Sequence, residues 1–345
     1  MFEPTIKDIA KICGVGVSTV SRAINDHPDI NSETKEKIMN VIREYGYVPN
    51  DSARNLKRSD AKAIAVLVKG IANPFFTSMI TVIEQECKKR HYAMELSHIE
   101  ADEDEVDVAQ KVVKEKRLRG IIFLGGLFSH SEEKLKKLRV PFVFSTVGAM
   151  PENISRKQYS SISVDDRRES ARMVEYLIGL GHTKIAILVA EALEESVGKL
   201  RLEGYCDALK AHGIEVDMKL ICQTEDALSH FSMENGYLST KKLLERGEKF
   251  TALYAVSDAL AIGARRALYE AGLRVPEDVS LAGYDGIDMA GYSVPSLTTM
   301  RQPVEEMAKD TTRLLFDIIA KKAKHQHTTY EAELLIREST ARIPE

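Results

Sequence analysis

Val17, Ser18, Ser21, Arg22 and Asn25 fall at i, i+1, i+4, i+5 and i+8, so a helix through them shows hydroxyls, a guanidinium and an amide along one face. That is the chemistry of base edges and phosphates: arginine fits guanine O6 and N7, and a valine methyl fits the methyl of thymine. Val20, Ala23 and Ile24, at i, i+3 and i+4, make an apolar stripe on the other side. Such a helix needs a platform. Thr5, with Asp8 three residues on, predicts a capping box that opens a preceding helix, whose Ile6, Ile9, Ala10 and Cys13 supply the partner stripe. Ser32 is read as the cap of a third helix carrying Ile38, Val41, Ile42 and Tyr45 at the same spacing. Together they predict a three-helix, helix-turn-helix unit with the second helix held outward. A small helical cap domain with a solvated polar face is the other reading of this spacing.

The chain has 345 residues, 44% hydrophobic and 29% charged, which suits a globular protein of two or three domains. No run of about 18 apolar residues could span a bilayer, and no basic segment followed by an apolar one opens the chain, so a cytoplasmic protein without membrane contact is expected. Cys13, Cys87, Cys206 and Cys222 are scattered without a C-x-x-C pair and read as reduced small hydrophobes, so neither metal nor cofactor is expected. A net charge of −4 argues mildly against nucleic acid. Residues 1–60 are neutral, but their acids crowd into 26–44 while Arg54, Lys57 and Arg58 cluster just beyond, so the charges segregate by region.

The run Thr5-Ile6-Lys7-Asp8-Ile9-Ala10, then Gly14-Val15, then Val17-Ser18-Thr19-Val20-Ser21-Arg22-Ala23-Ile24-Asn25, then Tyr45-Gly46-Tyr47-Val48-Pro49-Asn50, resembles the headpiece of the lactose/galactose repressor (LacI/GalR) family. One departure is Gly16 where the family has serine before the recognition helix; glycine caps a helix but offers no side-chain oxygen. The resemblance implies DNA contacts from Thr5, Val17, Ser18, Thr19, Ser21, Arg22 and Asn25, and from Ala53, Leu56 and Lys57 in a hinge segment over 48–60. By itself that segment reads as a polar linker. In the family it folds on DNA, pairs with its copy in a homodimer and wedges a leucine, here Leu56, into the minor groove.

From Ala63 short apolar runs alternate with helical stretches, first to Phe142-Val143-Phe144 and then again from Ser161 to Gly283. This predicts an α/β core of two lobes, each a parallel sheet covered by helices, with a ligand cleft beyond the carboxyl ends of the strands. The resemblance extends through Asn73-Pro74-Phe75-Phe76, Arg201-Leu202-Glu203-Gly204-Tyr205, Ser257-Asp258-Ala259 and Gly283-Tyr284-Asp285-Gly286, and implies a periplasmic-binding-protein-like core. The expected division is a headpiece at 1–47, a hinge at 48–60 and a core at 61–345. Within the core, an N-terminal lobe takes about 61–160 and 302–322 and a C-terminal lobe about 161–290 and 330–345. The chain is expected to cross near 160–165, 290–302 and 322–330.

A polyol needs bidentate charged groups for adjacent hydroxyls and an aromatic face for its C–H side. By position in the family, Arg201, Asp285 and Phe231 would contact the effector, with Phe75, Phe76 and Asp258 at the cleft mouth or nearby. Structural roles compete at each: a salt bridge for Arg201 and Asp285, core packing for Phe75, a helix cap for Asp258. Glu195 stands where the purine-sensing branch carries arginine, and Ser145-Thr146-Val147 where many members have Asp, so a sugar, neutral or phosphorylated, is expected rather than a purine.

An enzyme is disfavoured, because Gly14-Val15-Gly16-Val17-Ser18-Thr19 follows no strand, and no G-x-x-x-x-G-K-[ST], G-x-S-x-G or H-E-x-x-H occurs. His182, after Gly181, is read as a turn residue and no catalytic base. An exported sugar-binding protein would explain the core but not residues 1–60. The reading is a homodimeric DNA-binding regulator, a repressor of a carbohydrate-use operon, which binds double-stranded operator DNA and responds to a small sugar.

Overall fold

The computed structural model describes residues 4–24, 27–47, 62–100, 102–126, 130–148, 154–190, 196–225 and 228–343. Asn25, Ala53, Leu56, Lys57 and Glu195, and the 48–60 hinge with them, lie outside the described residues. The chain divides into two units, Met1–Ala61 and Lys62–Glu345.

The first unit begins as its capping residues dictate. Thr5 N donates to Asp8 Oδ2 at 2.9 Å while Thr5 Oγ1 accepts from Asp8 N at 3.4 Å, and this reciprocal cap opens α1 (Ile6–Cys13). Gly14 ends it with φ 69°, a left-handed conformation natural to glycine. Helix α2 (Val17–Ile24) and α3 (Ser32–Glu44) follow. Ile9, Val20 and Ile38, one from each helix, are fully buried against one another. The expected cap of α3 shifts by one residue: Asn31, not Ser32, accepts from Thr34 N, at 3.1 Å. Asparagine and serine are equally good caps, and only the extended backbone at Asn31 decides between them.

The second unit holds two six-stranded sheets. In the first lobe β1 (Ala63–Lys69), β2 (Ala93–Ile99), β3 (Gly120–Leu124), β4 (Phe142–Ser145) and β5 (Ser161–Val164) run parallel, and β11 (His327–Tyr330) joins beside β5. Helices α4 (Phe75–Lys89), α5 (Glu105–Lys116), α6 (Glu132–Leu135) and α12 (Val304–Ile319) connect or cover them. The second lobe has β6 (Ile185–Val189), β7 (Ile221–Gln223), β8 (Ala252–Ala255), β9 (Ser280–Asp285), β10 (Thr298–Arg301) and an antiparallel edge strand β12 (Glu333–Leu335). Its helices are α7 (Asp166–Gly179), α8 (Val197–Ala211), α9 (Met233–Glu245), α10 (Asp258–Glu270) and α11 (Asp288–Tyr292). The central strands β3, β6, β8 and β9 are buried along their whole length, which is why they read as unbroken apolar runs.

The lobe boundaries correct the expectation. Ser161–Val164 pairs with β4 and β11 and so belongs to the first sheet, and the chain crosses after Val164. The second crossing lies between β10 and α12, and the third between β11 and β12, later than the expected 322–330. Among the described residues no helix is long and apolar enough to cross a membrane.

Candidate functional site

A cavity of about 320 Å³ opens between the lobes, at the carboxyl ends of their strands. On the first-lobe side, β1 ends at Lys69 and turns through Gly70, Ile71 and Asn73 into α4, whose Phe75 and Phe76 meet edge to face at 5.4 Å between ring centres. His98 and Glu100, at and just past the end of β2, and Thr146, just past the end of β4, complete that wall. From the second lobe come Val197 and Arg201 of α8, Phe231 and His230 ahead of α9, and Asp285 at the end of β9; Gln302 enters from the second crossing.

Asp285 is the hub. Its carboxylate accepts from Asn73 Nδ2 at 3.1 Å, a bond that joins the two lobes, and from Gln302 Nε2 at 2.9 Å, with Arg201 Nη1 at 3.5 Å. Its backbone has φ 112°, a region that costs a non-glycine residue about 1–3 kcal/mol unless the surroundings hold it. Asp258 does that holding. Its carboxylate accepts from Gly286 N and Ile287 N at 2.8 Å each and from Thr299 Oγ1 at 2.6 Å, fixing the turn that follows Asp285. Burial pushes the Asp258 carboxyl up to about 8, with the nearby Asp285 charge adding to the rise and the three donors opposing it. Asp258 does not line the cavity, and the cap of α10 is Ser257, whose Oγ accepts from Leu260 N at 3.2 Å. It positions a ligand group rather than being one.

Arg201 fills both roles that its sequence position allowed. Its Nε and Nη2 each lie 2.8 Å from Asp166 Oδ1, its Nη1 donates to the Val256 carbonyl at 2.6 Å, and its guanidinium lies 3.7 Å from the centre of the Tyr284 ring. It therefore reaches the cavity from a buried ion pair, and burial raises the Asp166 carboxyl to about 6 even against the pull of Arg201. Phe75, Phe76 and Phe231 line the cavity as expected.

Lys69, His98, Glu100, Thr146 and Gln302 were missed by sequence reasoning, and Asn73 was noted only as part of a motif. The available signal was their place just past apolar strand runs, which in parallel sheets marks the ligand side. Behind the wall, Lys69 Nζ lies 3.3 Å from Glu105 Oε1, and Glu105 Oε2 lies 3.3 Å from Nε2 of the buried His130. Lys134 Nζ lies 2.6 Å from Asp104 Oδ2, so both carboxylates beside His130 already hold an ammonium.

In the first unit, Val17, Ser18 and Arg22 are exposed on α2, Thr19 and Ser21 half-buried, and Thr5 is exposed at the cap of α1. One outward face therefore carries the guanidinium, hydroxyl and methyl groups that major-groove readout uses.

Residues 5–50 match the family model described as bacterial regulatory proteins, lacI family, and residues 174–340 match a periplasmic binding protein-like domain. The chain is 38% identical to the HTH-type transcriptional regulator MalR of Clostridium butyricum, over 98% of this chain and 99% of that one. Among solved structures, it is similar to a transcriptional regulator CelR–cellobiose complex at 28% identity and TM-score 0.71, covering 98% of this chain and all of that one. It is also similar to the lac repressor dimer bound to operator and the anti-inducer ONPF at 25% identity and TM-score 0.74, covering 99% and 100%. An exposed helix with base-reading chemistry, a two-lobed α/β core with a cleft, and full-length similarity agree: the chain belongs to the lacI family of bacterial regulatory proteins and is a DNA-binding transcriptional repressor with a ligand-binding core.

Proposed function

We propose that the protein represses a carbohydrate-use operon as a cytoplasmic homodimer and that a small sugar in the inter-lobe cavity controls its operator affinity. The observation that carries the sugar is the cavity itself. Aromatic faces from Phe75, Phe76 and Phe231 stand opposite a cluster of carboxylate, amide and guanidinium groups, the pairing that a ring with one apolar and one hydroxylated side requires. The similar regulator solved with cellobiose supports this class of ligand.

The dimer is supported by an apolar surface on the second lobe. Tyr292 and Val294 are each 88% exposed, with Met289 and Tyr269 also exposed, far more apolar surface than isolated side chains usually leave in water. A two-fold dimer presents two α2 helices, so the operator is expected to be near-palindromic. Val17, Ser18 and Arg22 read the major groove, and Leu56 wedges the minor groove between them, with Thr5, Thr19, Ser21, Asn25, Ala53 and Lys57 contacting the backbone or adjacent bases.

The test is fluorescence anisotropy on an operator selected from random DNA, with and without sugars. Arg22→Ala should weaken binding by about 1–3 kcal/mol and relax preference at one base pair per half-site. Equal weakening on every operator variant would make Arg22 a phosphate contact. Operator affinity that no sugar changes would remove the sugar from the mechanism.

A further inference from the structure

Charge accounting around the cavity separates two kinds of sugar. Each cation that lines it already faces a carboxylate: Lys69 lies 3.3 Å from Glu105, Arg201 lies 2.8 Å from Asp166 and 3.5 Å from Asp285, and His98 lies 3.5 Å from Glu100. Lys69 also donates to the Glu103 carbonyl at 2.9 Å. His230 Nδ1 shares a hydrogen bond with Thr224 Oγ1 at 3.4 Å and is an ordinary imidazole. The stretches outside the description within this unit, 101, 127–129, 149–153, 191–195 and 226–227, contain no Lys, Arg or His; their only ionisable residues are acidic.

A helix N-terminus is the other usual anion holder. At the start of α4, which borders the cavity, Phe75 N donates to Asn73 Oδ1, Phe76 N to the Asn73 carbonyl and Thr77 N to the Pro74 carbonyl, each at 3.1 Å, so those amides are occupied. What the cavity wall does offer is an acceptor. Gln302 is buried, its Nε2 is committed to Asp285, and its Oε1 has no hydrogen-bond partner. The Asp285 carboxylate fixes that amide orientation, because the reversed amide would set oxygen against oxygen. A buried acceptor of this kind is stabilised by an O–H donor and made worse by an anion.

We infer that the effector is an uncharged polyhydroxylated sugar, that Gln302 Oε1 accepts from one of its hydroxyls, and that phosphorylated forms of the same sugar are rejected. This rests on the carbohydrate reading above and goes beyond it. The cavity closes on a ligand that brings hydrogen-bond donors, and it has no surplus positive charge for a phosphate.

The experiment is calorimetric titration of the full chain with matched pairs: glucose and glucose 6-phosphate, maltose and maltose 6′-phosphate, cellobiose and cellobiose 6′-phosphate. The expected result is at least about tenfold tighter binding of the uncharged member of whichever pair binds. Inorganic phosphate alone is a second probe that needs no knowledge of the effector. It should not stabilise the wild-type chain against heat, whereas Glu105→Gln, which takes the counter-charge from Lys69, should make the chain phosphate-responsive while circular dichroism and operator binding report that it folds. Tighter binding of a phosphorylated member, or phosphate stabilising the wild type as strongly as the variant, overturns the inference and leaves the carbohydrate reading standing. If no pair binds and an uncharged nucleobase does, the carbohydrate reading fails and the charge argument survives.

Discussion

The two lobes carry sheets of equal size but hold their helices differently. In the second lobe, paired helices touch backbone to backbone. A Cβ on Gly204 of α8 would lie 2.1 Å from the Arg167 carbonyl of α7, and one on Gly263 of α10 would lie 1.9 Å from the Met233 carbonyl of α9. In the first lobe, the close approach at Gly120 of β3 is to the side-chain ends of Leu315 and Ile319 on α12, at 2.9 and 3.0 Å, which can shift. The polar groups follow the same division. Asp166, Arg201, Tyr284, Asp285 and Asp258 form a buried, mutually bonded set in the second lobe, while the first lobe gives that set one direct bond, from Asn73. The second lobe is thus a preorganised platform for a ligand's hydroxyls. The first is an aromatic wall that meets it.

The largest test of that contrast is Asp166→Ala. It leaves the Arg201 guanidinium buried without its main partner, and breaking a buried pair by removing one member costs about 3–5 kcal/mol. Urea unfolding of the full chain should show this loss. A change below about 1 kcal/mol, the scale of an exposed pair, would mean that the network does not hold the second lobe together.

Next come the glycines. Gly263→Ala forces a methyl against main-chain atoms and should cost about 1–3 kcal/mol or more, whereas Gly120→Ala should cost less because leucine and isoleucine ends can give way. Equal drops in Tm would erase the distinction between the lobes.

These particulars also show what the chain discloses before it folds. The alternation of strands and helices, the three headpiece helices and the aromatic wall were legible because periodicity and caps are local. Ser161–Val164 was misassigned because a short apolar strand looks the same in either lobe; its partner β11 lies more than 160 residues away. The roles of Arg201 and Asp258 were ambiguous for the same reason. Arg201 is defined by Asp166, 35 positions earlier, and Asp258 by the Gly286–Ile287 amides, 28 and 29 positions later.

Asn73→Ala should separate ligand response from stability. It removes the bond from the first lobe to Asp285 but leaves Gln302 and Arg201 in place, so ligand affinity should fall about tenfold while unfolding free energy changes little. A stability loss as large as that of Asp166→Ala would show that the lobes fold as one platform.

The smallest expected effect is of pH. His182 ties the second lobe to the chain's last described segment: its Nδ1 pairs with Thr251 Oγ1 at 2.9 Å, and its Nε2 lies 3.0 Å from Ser280 Oγ and 3.1 Å from the Ala341 carbonyl. Burial lowers its pKa below the usual 6.5, with the Ala341 carbonyl pulling weakly the other way, so the folded state keeps the ring neutral. Its contribution is therefore fully present above about pH 6.5 and declines as pH falls through the folded value, because the unfolded chain takes up the proton first. Burial likewise lowers His130, His325 and His327, all in the first lobe, so acidification should weaken the first lobe more than the second. Comparing the pH 7 to pH 5 loss of stability in wild type and His182→Gln isolates the second-lobe share: the variant should lose a little less. An identical loss in both would place the acid sensitivity wholly in the first lobe.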